Sequence, residues 1–286
     1  MRQAPRTGMV QSGCLQYRVR RPGNPGHDGL NPSQMDPSQA ARRALAALDL
    51  TSLGEDDTPG RIEALCASAA GPGGAPPAVC VYPEHLATAR RALDARGLDG
   101  VAVATVVNFP DGAADSGRVE RETRRAVAAG AQEIDVVLPW RALLAGEPGQ
   151  ARRVVDACRA ACSGRPLKVI LETGELADVD TIRAASDLAL EAGADFIKTS
   201  TGKVATGATP EAARTMLEAI RAHGGRAGFK ASGGVRTLED AATYLGLADE
   251  ILGDGWADDA AHFRIGASSL LAEIRRVLGG GVDAPP

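Results

Sequence analysis

The sequence predicts a closed barrel of eight parallel strands that alternate with helices, a (β/α)8 TIM barrel. From residue 78 onward, short apolar runs alternate with helical patterns until the chain ends. The runs are apolar nearly throughout, which is typical of parallel strands covered on both faces. An open doubly wound sheet is the alternative, but the first strand-to-helix turn, Tyr82-Pro83-Glu84, lacks the glycines that such folds use there. The barrel is therefore the favoured fold.

The elements can be assigned in chain order. Two helices at 38–48 and 58–70 are expected to precede the barrel as extra N-terminal helices. The predicted strands are 78–82, 101–109, 133–138, 167–173, 196–200, 228–232, 250–252 and 263–267. The predicted helices between and after them are 84–96, 117–129, 150–161, 178–191, 210–222, 237–245 and 268–278.

Composition indicates one barrel domain at residues 39–280. Residues 1–38 are rich in Pro, Gly and Arg and are expected to be a disordered extension, and 281–286 a short flexible tail. The net charge of −4 gives no basic excess for nucleic acid or a membrane. Five scattered cysteines indicate free thiols in a reducing cytoplasm, and no His pair completes a zinc pattern, so we expect no metal and no cofactor.

Two lysines in the middle of adjacent predicted strands are the strongest chemical signal. Lys198 and Lys230 would both point toward the carboxyl-end face, where barrels build their sites. A second ammonium at ~4 Å contributes about 4 kcal/mol of repulsion, which favours a neutral, nucleophilic lysine. Asp135, two strands from Lys198, could then hold a water or shuttle a proton. The alternative stays open that one lysine pairs with Asp135 or Glu172 and both are structural.

Glycine-rich loops follow three of the late strands and indicate a phosphate site. These loops carry Gly202-Lys203, Gly233-Gly234 and Gly266 with Ser268-Ser269, the serines opening a helix. Glycine lets backbone N–H groups approach an anion, and helix amino ends favour phosphate. A P-loop is excluded because Val204 follows Lys203.

Seven strings, in order, resemble the 2-deoxy-D-ribose 5-phosphate aldolase family over about residues 40–280: VCVYPEHLATAR, VATVVNFPDG, EIDVVLPW, LKVILETGEL, DFIKTSTGKVATGATPEAAR, FKASGGVRT and FRIGASSLL. The resemblance implies a metal-free class I aldolase. Such an enzyme reversibly cleaves 2-deoxyribose 5-phosphate to glyceraldehyde 3-phosphate and acetaldehyde.

The resemblance also implies roles for particular residues. Lys198 would form the Schiff base, Lys230 would lower its pKa, and Asp135 would relay protons through water. The implied substrate-binding and phosphate-binding residues are Asp49, Thr51, Thr199, Gly202, Lys203, Gly233, Gly234, Gly266, Ser268 and Ser269. Partners are expected to be small phosphosugar and aldehyde substrates, with a homodimer as in many members of the family.

Two departures from the family pattern stand out. Lys230-Ala231-Ser232 replaces the Lys-Pro-Ala of the bacterial branch, with no expected loss of chemistry. The sequence also lacks the terminal tyrosine of some bacterial members, so enamine protonation is expected to use another route or be slower. Another phosphosugar lyase, an isomerase using Asp135 and Glu172, and an inactive phosphosugar-binding barrel are the alternatives.

Overall fold

The computed structural model describes Met1, residues 35–176 and residues 178–279. Most of the expected N-terminal extension (residues 2–34) and the whole of the expected tail (residues 281–286) lie outside the described residues.

Eight parallel strands pair in chain order, and β1 pairs with β8 to close the barrel. The strands are β1 (Leu48–Thr51), β2 (Ala78–Val81), β3 (Ala102–Val107), β4 (Glu133–Val137), β5 (Leu167–Ile170), β6 (Phe196–Lys198), β7 (Gly228–Ser232) and β8 (Phe263–Ala267). The predicted (β/α)8 barrel is confirmed.

Helices surround the barrel and cover its strands. They are α1 (Pro37–Ala46), α2 (Pro59–Ser68), α3 (Leu86–Asp94), α4 (Ser116–Ala128), α5 (Trp140–Leu144), α6 (Pro148–Ala161), α7 (Thr173–Leu176), α8 (Val179–Glu191), α9 (Pro210–Ala222), α10 (Leu238–Leu252) and α11 (Leu270–Leu278). No helix within 35–176 or 178–279 combines the length and apolarity needed to cross a bilayer.

Local sequence explains where many helices begin. Thr58, Asp115, Asp178, Thr209 and Thr237 each precede a helix, and each side-chain oxygen accepts a hydrogen bond from a backbone N–H three residues on. These caps satisfy donors that would otherwise lack a partner in the first turn. Each helix amino end is thereby fixed at the carboxyl-end side of the barrel.

The first strand corrects the sequence-based assignment. Residues 48–51 were expected to end a helix or follow it, but they form β1, which pairs with β2 and β8. In Leu48-Asp49-Leu50-Thr51 the two leucines face the helix layer and Asp49 faces the barrel interior, the period of two of a strand. Only α1 therefore precedes the barrel, and α2 is the helix between β1 and β2.

The seventh predicted strand, at 250–252, is also wrong. These residues form the last turn of α10, whose buried residues include Leu247, Ala248 and Ile251. The short apolar run continues the helical period instead of starting a new one. The predicted total of eight strands was correct because one strand was missed and one was added.

Register decides which side chains enter the barrel. Asp135 pairs with Lys168, Lys198 pairs with Lys230, and Lys230 pairs with Arg264. Paired residues on neighbouring strands face the same side of the sheet. Side chains from β4 to β8 are thereby brought together inside the barrel.

Candidate active site

The barrel interior holds a network of buried charged side chains. Its cations are Lys168, Lys198, Lys230 and Arg264, and its anions are Asp49, Glu133 and Asp135. All seven residues are at least nine-tenths buried. Buried charges are tolerated only when they are paired and hydrogen-bonded, so the partners of each group determine its ionisation state.

Asp135 lies at the centre of the network. Its Oδ2 accepts hydrogen bonds from Lys198 Nζ at 2.9 Å and Lys230 Nζ at 2.8 Å, and its Oδ1 accepts one from Lys168 Nζ at 2.9 Å. Burial disfavours the carboxylate, but the three ammonium groups outweigh it and hold the pKa of Asp135 well below its usual value. Asp135 is therefore an ionised anchor for three lysines.

Lys198 has the fewest carboxylate partners of the four buried cations. Its ammonium donates to one carboxylate among the described residues, that of Asp135, and its side chain is 3% exposed. Burial lowers the pKa of Lys198, and the ammonium of Lys230 acts in the same direction against the attraction of Asp135. The net effect is a pKa below the usual lysine value, which increases the neutral, nucleophilic form.

Lys230 shows the opposite balance. Its ammonium donates to Asp135 and also to Asp49 Oδ2, and the side chain is fully buried. Burial opposes the charge, but the two carboxylates outweigh it and raise the pKa of Lys230 above its usual value. Lys230 therefore stays a cation.

Lys168 is the third lysine of the interior and is also held as a cation. Its Nζ lies 2.5 Å from Glu133 Oε2 and 2.9 Å from Asp135 Oδ1. Burial opposes its charge, but Asp135 and Glu133 raise the pKa of Lys168 above the usual value. No role was assigned to Lys168 in the sequence analysis.

Arg264 closes the network at its other end. Its Nη1 donates to Asp49 Oδ1 at 2.6 Å and its Nη2 to Glu133 Oε1 at 3.0 Å. Burial disfavours the Asp49 carboxylate, but Lys230, Arg264 and Lys168 together lower its pKa below the usual range. Asp49, which the resemblance implies to be a substrate-binding residue, lies in the fully buried interior beside Lys230.

Small side chains make room for the long cations. A Cβ added to Gly266 would lie 3.1 Å from Lys230 Cε, so this glycine provides space for Lys230. On the other side of the barrel, Cys80, Ala104 and Val106 form a small apolar cluster. Burial raises the pKa of Cys80 to about 11, so its thiol stays protonated and serves packing.

The carboxyl-end rim contains two strained residues. Asn108 and Glu172 have left-handed φ of 54° and 59° and follow β3 and β5. Such backbone is uncommon outside glycine and concentrates at functional sites. Asn108 Oδ1 is buried and accepts no hydrogen bond within the described residues, whereas both Glu172 oxygens accept from Thr201. Asn108 is therefore a candidate ligand that the sequence analysis left unassigned.

The glycine loops lie together after β6, β7 and β8. Gly202, Gly233 and Gly234 have φ of 78°, 83° and 89°, and a Cβ on Gly202 would lie 3.9 Å from Gly233 Cα. Ser268 and Ser269 are exposed immediately before α11. Lys203, also exposed, reaches across the rim to donate to the Leu53 carbonyl at 2.6 Å. The residues expected to bind phosphate are thus brought to one side of the rim, apart from Gly266.

Two other predicted substrate ligands have structural partners instead. The Thr199 hydroxyl is fully buried, donating to the Ser232 carbonyl at 2.8 Å and accepting from the Ser232 N–H at 2.9 Å. The Thr51 hydroxyl donates to the Asp49 carbonyl at 2.7 Å. Thr199 fixes β6 to β7 in this structure, and Thr51 lies half-buried at the end of β1.

The amino-acid composition contains a signal for Lys168, to which the sequence analysis gave no role. The chain contains 28 arginines and four lysines, and the lysines are Lys168, Lys198, Lys203 and Lys230. Arginine stays protonated in proteins, whereas lysine can lose its proton when buried. Three of the four lysines lie in the barrel interior and the fourth, Lys203, lies at its rim, so the rarity of lysine makes Lys168 a further candidate site residue. Glu133 and Arg264 carry no comparable signal.

The comparisons with known proteins decide the family. The model of the DeoC/LacD family aldolases matches residues 43–274. The chain belongs to this family. It is therefore an aldolase, and the resemblance noted in the sequence is confirmed.

Solved structures agree with this membership. A Toxoplasma gondii protein provisionally named deoxyribose-phosphate aldolase is 28% identical, with a TM-score of 0.79 over 87% of this aldolase and 99% of that chain. A Coccidioides immitis protein with the same provisional name is 31% identical, with a TM-score of 0.71 over 82% and 87%. The deoxyribose phosphate aldolase of Aeropyrum pernix, described as a tetramer, is 27% identical, with a TM-score of 0.66 over 86% and 93%.

Proposed function

We propose that this aldolase reversibly cleaves 2-deoxy-D-ribose 5-phosphate to glyceraldehyde 3-phosphate and acetaldehyde through an imine on Lys198. One observation carries the proposal: Lys198 Nζ contacts one carboxylate, whereas Lys168 and Lys230 each contact at least two. The pKa of Lys198 is accordingly lowered, and the pKa values of the other two lysines are raised. An uncharged amine is required to attack a carbonyl carbon, and a lysine acquires it by burial beside another cation. The same-named neighbours in the comparisons support this substrate.

The chemistry follows from the position of Lys198. Its neutral amine attacks the aldehyde carbon of the open-chain sugar, and loss of water gives a protonated imine. The imine withdraws electrons as the C3 hydroxyl loses its proton and the C2–C3 bond breaks. Glyceraldehyde 3-phosphate leaves, and the enamine that remains on Lys198 is protonated and hydrolysed to acetaldehyde.

Proton transfers fall to Asp135 and Lys230. When Lys198 is neutral, Asp135 Oδ2 keeps the hydrogen bond from Lys230, and this oxygen can accept a proton from the carbinolamine or from a water. The Lys230 ammonium, which Asp49 also holds in position, can donate a proton to the hydroxyl that departs from the carbinolamine. Their fixed positions supply orientation together with charge stabilisation.

The phosphate is proposed to bind at the loops after β6, β7 and β8. Gly202, Gly233 and Gly234 have left-handed φ, a backbone conformation that lets N–H groups converge on an anion, and Ser268 and Ser269 precede α11 at its amino end. Lys203 adds a cation at the same rim. We propose Asn108 as an additional ligand, whose free Oδ1 would accept a hydrogen bond from a substrate hydroxyl.

Borohydride reduction in the presence of acetaldehyde tests the proposal. The expected product is an ethyl-sized mass increase on the peptide that contains Lys198, and its absence in Lys198→Met. The chain contains four lysines, and the peptide map distinguishes them from one another and from the amino-terminal amine. An adduct that persists in Lys198→Met would overturn the assignment of Lys198. A folded protein that forms no adduct would favour the isomerase alternative, or a phosphosugar lyase with another donor.

Donor choice separates the remaining lyases. An acetaldehyde-dependent aldolase condenses acetaldehyde with glyceraldehyde 3-phosphate, whereas a lyase acting on ketose phosphates prefers a phosphorylated ketone donor. Product formation from each pair of substrates is measured by mass spectrometry. The oligomeric state, expected to be a homodimer, is measured by light scattering during size-exclusion chromatography.

A further inference from the structure

A cavity lies at the amino-terminal end of the barrel, opposite the proposed aldolase site. Its volume is about 550 Å³, and Pro166, Asp195, Ala227 and Ala261 line it just before β5, β6, β7 and β8. This volume falls within the range of small-molecule sites. The proposed cleavage reaction uses the carboxyl end of the strands and gives this cavity no role.

The cavity reaches the charged interior through Phe196 and Arg264, which both line it. The Phe196 ring centroid lies 5.8 Å from Arg264 Cζ and 6.0 Å from Lys168 Nζ. A Cβ on Gly228 would overlap this ring, so the glycine gives Phe196 its place. A ligand here would contact the residues that adjoin the lysine network.

Charge in the cavity favours an anion. Arg226 and Arg264 contribute guanidinium groups, and His223 adds an imidazole whose Nε2 contacts Asp187 at 3.0 Å. Asp195 is the lining acid, and its Oδ2 already accepts hydrogen bonds from Arg159 at 2.7 Å and from the Leu167 N–H at 2.8 Å. Arg264 is paired with Asp49 and Glu133 inside the barrel, and its Nε donates to the Ala260 carbonyl. Arg226 forms no ion pair with a described residue, so this exposed guanidinium is the charge that favours an anion in the cavity.

Apolar side chains make up the rest of the wall: Leu190, Ala194, Phe196, Ala227, Ala260 and Ala261. A ligand that matches both parts has an acidic group and a compact apolar body. We propose that this cavity binds a small organic carboxylate, with Arg226 and Arg264 as the ligands of its acidic group. Arg226 is exposed and Arg264 is buried, so the carboxylate would enter past Arg226.

The position of Arg264 gives binding a consequence for Lys198, and this part rests on the proposed imine mechanism. Arg264 donates to Asp49 and Glu133, the partners of Lys230 and Lys168. A carboxylate that draws Arg264 toward the cavity leaves more negative charge facing the lysines. The carboxylate's own charge acts in the same direction. Both effects favour the protonated form of Lys198, so the bound carboxylate inhibits at neutral pH.

Calorimetric titration with benzoate tests the site directly. We expect saturable one-site binding to the wild-type protein, at least tenfold weaker binding to Arg226→Ala, and none to Ala261→Trp, which fills the cavity at an exposed position. Arg221→Ala, an exposed arginine on α9 that does not line the cavity, is the control and should bind as wild type. No saturable binding, or equal affinity in all four proteins, would overturn the site.

The pH profile of cleavage tests the role of Arg264. With saturating benzoate, the limb on which activity rises with pH should move to higher pH in the wild type and stay in place in Ala261→Trp. Bound benzoate that leaves the wild-type limb in place contradicts the contact with Arg264. Inhibition that persists in Ala261→Trp contradicts it too, because it indicates competition at the carboxyl-end site. The calorimetric titration requires no catalytic turnover. It can therefore show whether the cavity binds benzoate even if the proposed cleavage reaction proves wrong.

Discussion

Strands β6 and β7 place two lysines at the same level of the barrel, and their pKa values are shifted in opposite directions. Lys198 and Lys230 are register partners, are both buried and share Asp135 Oδ2. Lys230 has Asp49 as a second carboxylate partner, and Lys198 has none among the described residues. Burial acts on both lysines in the same direction. The number of carboxylates that reach each ammonium therefore decides which lysine can become neutral.

The charge balance of the whole interior gives the same result. Four cations face three carboxylates when every group is ionised. If Lys198 loses its proton, Lys168, Lys230 and Arg264 remain opposite Asp49, Glu133 and Asp135, and the interior is electrically neutral. A low-dielectric interior favours neutrality. The network thus favours proton loss from its one poorly paired cation, the lysine that we propose forms the imine.

The largest expected effect is that of removing the poorly paired lysine. Lys198→Met should reduce cleavage by about 10³-fold or more, because no imine can form. Thermal stability should be unchanged or higher, since a charge with one partner is replaced by an apolar chain of similar length. Lys198→Arg should be equally inactive, because a guanidinium stays protonated. Activity is measured in a coupled assay for glyceraldehyde 3-phosphate. Substantial activity in either variant would contradict the proposal that Lys198, and not Lys230, forms the imine.

Removing the well-paired lysine should slow the reaction by a different route. Lys230→Met removes a repelling cation and leaves Asp135 more negative toward Lys198, and both changes raise the pKa of Lys198. The limb of the pH–rate profile that rises with deprotonation should therefore move upward by about one to three pH units, with about 10²-fold less activity at pH 7. Recovery of acetaldehyde trapping at high pH would separate this effect from misfolding. A limb that stays in place or moves to lower pH would show that Lys230 does not tune Lys198.

The carboxylate end of the network should control stability. Glu133→Leu leaves Lys168 and Arg264 each short of a partner, and breaking a buried pair destabilises by about 3 kcal/mol or more. Urea unfolding followed by circular dichroism measures the loss. Arg124→Ala, which breaks an exposed pair with Glu120, is the matched control and should change stability by about 0.5 kcal/mol or less. Equal effects would show that the interior charges are not held as a network.

The smallest effect is expected at the rim. Lys203→Met should raise KM for the phosphorylated sugar about tenfold and leave kcat nearly unchanged, since Lys203 is exposed and lies away from the reacting carbon in the proposed complex. Unphosphorylated 2-deoxyribose should be cleaved by wild type and variant at similar rates. A loss of kcat with both sugars would place Lys203 in the chemical step instead.

The barrel could be predicted from the sequence because short apolar runs and helix-capping residues mark most strands and helices within a few residues. It missed β1 because Leu48-Asp49-Leu50-Thr51 is short and follows a helix directly. It added a false strand at 250–252 because the short segment Glu250-Ile251-Leu252 has no distinctive period.

The site was predicted less completely for a different reason. Lys198, Lys230 and Asp135 stood out as charges in apolar strands, but Glu133, Lys168 and Arg264 join them only through the register of five strands. Which lysine has the lower pKa depends on that register, because it sets which carboxylates reach each ammonium. The family resemblance named Lys198, and the contacts in the structure give the physical reason for the choice.

Lysine-selective NMR titration tests the central claim most directly. With only four lysines, ¹³Cε labelling gives four side-chain resonances, which single Lys→Arg variants assign. We expect the Lys198 resonance to titrate at the lowest pH of the three interior lysines, with Lys168 and Lys230 protonated throughout its transition. A Lys230 resonance that titrates before that of Lys198 would contradict the claim that carboxylate partners select the reactive amine.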